Sequence, residues 1–176
     1  MMAKTAIFFS PEGGSVNRVA MRLGEMIGNE KVDVTPVPKA EKEDLDRYSQ
    51  FIFVGSTVGA DHWSNEVLEN EWQAFFARIA ETGFKDKKVA IVGLGNSVLY
   101  PEHFADGMAY LYKELSERKA EVLGFVGAEG YTFEDSEALN DKGFFCGLPL
   151  DEDNEDDLTD GRLEHWISLL KSDFGF

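Results

Sequence analysis

At 176 residues the chain fits one domain, since domains usually hold ~100–200 residues, and 43% hydrophobic content is enough to fill a single core. Thirty-three acids against 17 bases leave a net charge of −16, which repels nucleic acid and anionic membrane and favours a basic partner. The lone Cys146 excludes an intramolecular disulfide and no apolar run approaches the ~18 residues of a membrane span, so a soluble, cytoplasmic protein is expected.

Thr5 to Phe9 reads as a buried strand, a short β-branched and aromatic run that ends at a Pro/Gly cluster. Val16, Val19, Ala20, Leu23, Met26 and Ile27 then recur at helical spacing, with Gly28-Asn29 as the stop. Lys31 to Val37, Phe51 to Ser56 and Lys88 to Gly93 give a second, third and fourth strand, the last two apolar on both faces, as parallel strands covered by helices are. Between them run two helical stripes, Leu68, Trp72, Phe75, Phe76 and Ile79, then Phe104, Met108, Leu111, Tyr112 and Leu115. Glu121 to Val126 is a fifth strand, and Thr159 or Asp160 caps a last helix with Leu163, Trp166, Ile167 and Leu170 on one stripe. Gly127 to Asp157 carries no helical stripe, although Phe144 to Leu150 within it looks like a returning strand.

Alternating strands and helices predict an open, doubly wound parallel sheet, whose ligands bind beyond the carboxyl ends of the strands. Three loops fall there: Ser10 to Val16, Ser56 to Asn65, and Gly93 to Phe104. Ser10-Pro11-Glu12-Gly13-Gly14-Ser15 joins a strand to a helix, where free N–H groups and the helix dipole suit a phosphate, or where Ser15 simply caps the helix. Trp63 and Tyr100 reach the same sheet edge, where two rings can bracket a flat ligand, while Gly93 and Gly95 permit close backbone approach. Asp151 to Asp157 has the composition of a calcium loop but Asp156 and Arg162 where the motif needs Gly and Glu, so it reads as a solvated acidic loop. His62, His103 and His165 lack zinc spacing, and Cys146 reads as a small core residue.

Gly93-Leu94-Gly95-Asn96-Ser97-Val98-Leu99-Tyr100-Pro-Glu-His-Phe104 resembles the GLGDQxxYxxxF segment of the long-chain flavodoxins. Gly130-Tyr131-Thr-Phe133 with Ser136 resembles that family's GYxFxxS, and Leu150-Asp-Glu-Asp-Asn154 with Leu158-Thr-Asp160, Arg162 and Trp166 its LDEDN…LTDxR…W. The resemblance runs from Lys4 to Phe176. It implies a flavodoxin-like sheet of five parallel strands in the order 2-1-3-4-5, the fifth interrupted by a long insertion at about 127–150. It also implies a monomeric, FMN-dependent one-electron carrier, with no enzymatic activity of its own, that shuttles low-potential electrons between a basic reductase and a basic acceptor protein.

By the same resemblance the phosphate loop is Ser10, Pro11, Glu12, Gly13, Gly14, Ser15 and Val16. Ser56, Thr57 and Val58 form the second flavin loop, Gly93, Leu94, Gly95, Asn96 and Phe104 the third, Tyr100 stacks on the flavin, and Asp153 lies near the ribityl chain. Several positions depart from the pattern. Val58 stands where many members have Trp, which leaves Trp63 as a substitute, and Asn96 stands for the usual Asp. The loop pattern S/T-x-T-G-x-T reads Ser-Pro-Glu-Gly-Gly-Ser, with Glu12 for the middle Thr; if the helix register is held instead, Val16 takes the last Thr. Thr5 to Val16 contains no Lys or Arg, so backbone amides, Ser10 and Ser15 are left to hold a phosphate; either Glu12 points outward, the expected geometry because Gly13-Gly14 leaves the backbone free, or the phosphate site is weak. A flavodoxin-like binding or regulatory protein with lost or weakened FMN binding remains the alternative. A phosphoacceptor receiver is disfavoured, because Phe8-Phe9-Ser10 and Val54-Gly55-Ser56 supply no acids at the strand ends.

Overall fold

The computed structural model describes residues 5–56 and 71–176. Their elements are β1 (Thr5–Ser10), α1 (Gly14–Ile27), β2 (Val32–Pro36), α2 (Asp44–Arg47), β3 (Gln50–Ser56), α3 (Glu71–Ala77), β4 (Lys88–Leu94), α4 (Gly107–Glu117), β5 (Glu121–Leu123), β6 (Val126–Gly127), β7 (Phe144–Phe145), β8 (Leu148–Leu150) and α5 (Asp156–Phe174). The main sheet has the order β2-β1-β3-β4-β5 and all its pairings are parallel, as the alternation and the resemblance predict.

Side-chain alternation along β1 sends Ala6 and Phe8 to one face and Ile7 and Phe9 to the other, and β3 and β4 follow the same parity. One face packs Phe8, Phe51 and Phe53 against Trp72, Phe75 and Phe76 of α3 and Met108 and Leu111 of α4. The other packs Ile7, Ile52 and Val92 against Val19 and Leu23 of α1 and Leu163 and Trp166 of α5. Each fully buried aromatic or aliphatic side chain contributes ~1.5–3 kcal/mol, so these two layers hold the strand ends in register.

The fifth sheet position is shared. β5 pairs with Lys88, Val89 and Ala90, and β8 pairs with Val92, Gly93 and Leu94 of the same strand. The intervening segment 124–147 leaves the sheet and forms the antiparallel pair β6–β7. The predicted fifth strand is thus three residues shorter at its end: it stops at Leu123 because Gly124, at φ 82, turns the chain beneath Trp166, whose indole N–H donates to the Gly124 carbonyl at 2.8 Å. The predicted returning strand, Phe144 to Leu150, divides between two sheets, Phe144–Phe145 in the hairpin and Leu148–Leu150 beside β4.

Two helix starts also differ from the sequence reading. The last helix begins at Asp156, a turn before Thr159, whose hydroxyl instead donates to the Glu152 carboxylate. The first begins at Gly14, and Gly13 rather than Ser15 occupies the cap position, with no side-chain cap hydrogen bond. No helix among the described residues is long and apolar enough to cross a membrane.

Gly147 admits the return strand: a Cβ there would sit 2.2 Å from the Ile91 carbonyl oxygen, on backbone that cannot yield. Gly147→Ala is therefore expected to destabilise the fold by ~1–3 kcal/mol. Gly161, inside α5 with open space around it, is the control, and Gly161→Ala should stabilise by ~0.4–1 kcal/mol. Urea denaturation of both variants measures the pair.

Candidate functional site at the strand ends

A cavity of about 430 Å³ opens beyond the carboxyl ends of β1, β3 and β4. Its volume falls within the ~300–1,000 Å³ range of small-molecule sites. Pro11, Gly13, Gly14, Ser15 and Val16 form one end, Ser56 the middle, and Leu94, Gly95, Asn96, Tyr100 and Asp153 the other. Thr57, Val58 and Trp63 lie outside the described residues. Leu99, His103 and Glu152 also line the cleft, though sequence reasoning did not single them out. His103 could have been found from the loop that ends at Phe104, and Glu152 from its place beside Asp153.

Ser10, Glu12, Gly93 and Phe104 do not line the cavity. Ser10 is buried on the α3 side of the sheet, where its hydroxyl donates to Glu71 Oε2 at 2.6 Å. Glu12 is exposed and does not line the cavity. Gly93 is required by packing, because a Cβ there would meet Met108 Cγ at 2.1 Å. Phe104 is 1% exposed and stacks on Phe133 with centroids 5.6 Å apart, which makes it an anchor of the third loop in the core. Gly95 does line the cavity, yet its missing side chain also makes room for Ala105 N, 2.6 Å from where a Cβ would lie.

The Ser10–Gly14 turn suits an anion. The Ser10–Pro11 peptide is cis, Gly13 and Gly14 have φ of 82 and 67, and nothing stands within 4 Å of either glycine's Cβ position. α1 carries no acid in its first turn and no side-chain cap, so its leading N–H groups face the cavity end with the positive pole of the helix dipole. At the far end Tyr100 is half-buried, lines the cavity, and stacks on no other ring among the described residues.

The loop that carries Tyr100 is fixed by Asp151, which is fully buried at the end of β8. One carboxylate oxygen accepts Ser97 N at 2.9 Å and Ser97 Oγ at 2.7 Å, and the carboxylate also accepts the backbone N–H of Asn154 at 3.1 Å and its amide Nδ2 at 3.0 Å. Burial by itself pushes this carboxyl up, but the Ser97 and Asn154 donors together outweigh it and hold it below the ordinary carboxylate value. Asn96 completes the junction: its Oδ1 accepts Val98 N, Leu99 N and Asn154 Nδ2, and its Nδ2 donates to Asp153 Oδ2 at 3.0 Å. An aspartate here would face Asp153 with a second carboxylate, so the amide keeps the acidic loop closed over the cavity.

A second cavity, about 820 Å³, lies between the segment 124–147 and α5, with Phe144, Leu158 and Leu169 exposed along it. It shares no lining residue with the cavity at the strand ends. Among the described residues no group of three or more His, Cys, Asp or Glu could hold a metal.

Comparison with known proteins agrees with this geometry. The family model described as Flavodoxin matches residues 7–166. The flavodoxin of Nostoc sp. is 34% identical over 175 residues, covering 99% of both chains, and that of Helicobacter pylori is 36% identical over 173 residues, covering 98% of this chain and 99% of its own. Among solved structures, Fusobacterium nucleatum flavodoxin bound to flavin mononucleotide superposes with a TM-score of 0.84 at 26% identity, covering 98% of this chain and 99% of that one.

Asp151 makes a testable contribution to stability. Its folded-state pKa lies below the unfolded value of ~3.9, so its stabilisation is complete above that pH and is lost as pH falls through the lower folded-state value. The stability gap between wild type and Asp151→Asn, read from urea denaturation, should be ~1–3 kcal/mol at pH 7 and should shrink on acidification below pH ~3.9.

Proposed function

The chain belongs to the flavodoxin family, and we propose that it is an FMN-dependent one-electron carrier, shuttling low-potential electrons between a reductase and an acceptor protein, and an electron-transfer flavoprotein rather than an enzyme. The observation that carries this reading is the pairing, across one cavity, of an uncapped helix N-terminus with a tyrosine that stacks on no other ring among the described residues. The two features match the two ends of FMN, a phosphate and a flat ring. When bound, FMN supplies the redox chemistry; the chain supplies binding, orientation and electrostatics.

In this reading the N–H groups of Gly14, Ser15 and Val16 and the Ser15 hydroxyl hold the phosphate. Tyr100 stacks on the ring, the backbone of Leu94, Gly95 and Asn96 lies along the ring edge, and Asp153 serves the ribityl chain. Thr57, Val58 and Trp63 are proposed to complete the site. Glu152 and Asp153 line the same cavity and oppose added negative charge there, so the second electron enters at lower potential than the first. A monomeric, cytoplasmic, single-domain protein that docks basic partners through its acidic surface is part of the proposal, supported by the net charge of −16 and the single free, buried cysteine.

An absorption spectrum of the protein reconstituted with FMN is the direct test. Tyr100→Ala should weaken FMN by about fivefold or more, as the loss of an aromatic pair worth ~0.5–1.5 kcal/mol beyond burial requires. Unchanged affinity in a fluorescence titration would remove the stacking role. Electron transfer to a basic partner, followed by stopped flow, should slow as ionic strength rises and the Debye length falls from ~10 Å at 0.1 M to ~3 Å at 1 M.

A further inference from the structure

The cavity's phosphate end has fewer side-chain donors than its loop sequence suggests. Ser10, the first hydroxyl of that loop, is taken by Glu71 at 2.6 Å, and Ser15 is the hydroxyl that remains among the described loop residues. No Lys or Arg occurs between Thr5 and Val16. Yet one cation folds back onto this turn from outside it. Arg18, in the second turn of α1, directs its guanidinium toward the helix N-terminus, where Nη2 donates to Ser15 Oγ at 2.9 Å.

This orientation runs against the ordinary placement of charge on a helix, because a cation near the N-terminus meets the positive end of the dipole. Arg22, one turn further along, shows the usual solution: it forms a two-pronged pair with Asp160 at 3.0 Å and a bridge to Glu25 at 3.5 Å. Among the described residues Arg18 pairs with no such acid; its partner is a neutral hydroxyl in the wall of the cavity. An arginine carries five N–H donors in a planar fork, and the bond to Ser15 occupies one. An anion held by the N–H groups of Gly14, Ser15 and Val16 would give the rest of that fork a counter-charge and relieve its unfavourable position on the helix.

We propose that Arg18 is a phosphate-binding residue of this chain, supplying through its guanidinium the side-chain contact that Ser10 and Glu12 do not. The proposal rests on the FMN reading and deepens it. It makes Arg18 a specificity residue that distinguishes FMN, which carries the phosphate, from riboflavin, which does not.

Flavin fluorescence titrations of the full chain test it, with FMN and with riboflavin as separate ligands. Arg18→Gln is expected to raise the FMN Kd by about tenfold at low ionic strength, the size of a lost charge-assisted contact, and to leave the riboflavin Kd unchanged. The FMN deficit should narrow at high salt, and Arg18→Lys, which keeps the charge but not the fork, should recover part of it. Equal weakening of both ligands would show a structural effect on α1, and an unchanged FMN Kd would show that Arg18 serves the surface only; either result overturns the proposal. These outcomes require only that the wild type bind FMN, whereas a wild type that binds neither flavin overturns the electron-carrier reading together with it.

Discussion

The hydrogen bonds from Ser97 to the buried Asp151 carboxylate set the shape of the cavity. They cross from the loop after β4 to the end of β8, and they are the reason a charged side chain is tolerated with no solvent exposure. With each donor in place the charge is retained and the loop is held at 2.7 and 2.9 Å; with none, a buried carboxylate would neutralise and release it. Gly95 N adds a bond to the Leu150 carbonyl at 2.9 Å, so the strand pairing of β8 with β4 passes without a break into the loop. Tyr100, four residues on, inherits its position from these bonds.

The segment 124–147 braces the same loop from the opposite side. The Pro101 carbonyl accepts Glu134 N at 2.7 Å and Asp135 N at 2.9 Å, and Phe104 N donates to the Asp135 carbonyl at 3.2 Å. Phe104, Phe133, Phe145 and Tyr131 then form one aromatic cluster, with centroid separations from 5.4 to 6.1 Å. Burial pushes the Tyr131 hydroxyl up to about 12, so it stays protonated and donates to the Pro149 carbonyl at 2.8 Å, while the Arg162 guanidinium covers its ring at 4.1 Å. The insertion is thus tied to β8, to α5 and to the third loop at once. It serves the cavity by limiting where Pro101 to Phe104 can go.

The parallel strands were legible because Phe51 to Val54 and Val89 to Val92 are apolar on both faces, as strands covered by helices on both sides are, whereas their order came from the family resemblance. That Tyr100 and the Gly13-Gly14 turn border the strand-end cavity was legible from loop position, and that Asp153 does so from the family resemblance. Ser10 was not, since its partner Glu71 lies 61 positions away and no local pattern announces that bond. Phe104 and Gly93 were read as ligand contacts because their motif sits beside the cavity, yet their environments are the Phe133 ring and the Met108 side chain, both set by tertiary packing. Arg18 escaped for a simpler reason. It lies outside Thr5 to Val16, but a long side chain on a helix leans toward the N-terminus and covers the turn before its own Cα.

Distance decides how the chain's many acids act. At physiological ionic strength the Debye length is ~8 Å, so most of the 33 carboxylates are screened from a phosphate at the start of α1 and cannot determine its affinity. Close to that terminus are the exposed Glu12 and the Glu71 carboxylate bonded to Ser10, and against them stand a helix start without acids in its first turn and the Arg18 guanidinium at Ser15. At the other end of the cavity the near charges are Glu152 and Asp153. The cavity is therefore polarised along its length, favourable to an anion where the chain turns from β1 into α1 and unfavourable where the ring of Tyr100 waits. In the proposed reading FMN lies with its phosphate at the first end and its ring at the second, in the field that resists further reduction. In the proposed reading the remaining acids act at longer range and lower ionic strength, on an approaching partner rather than on the bound group.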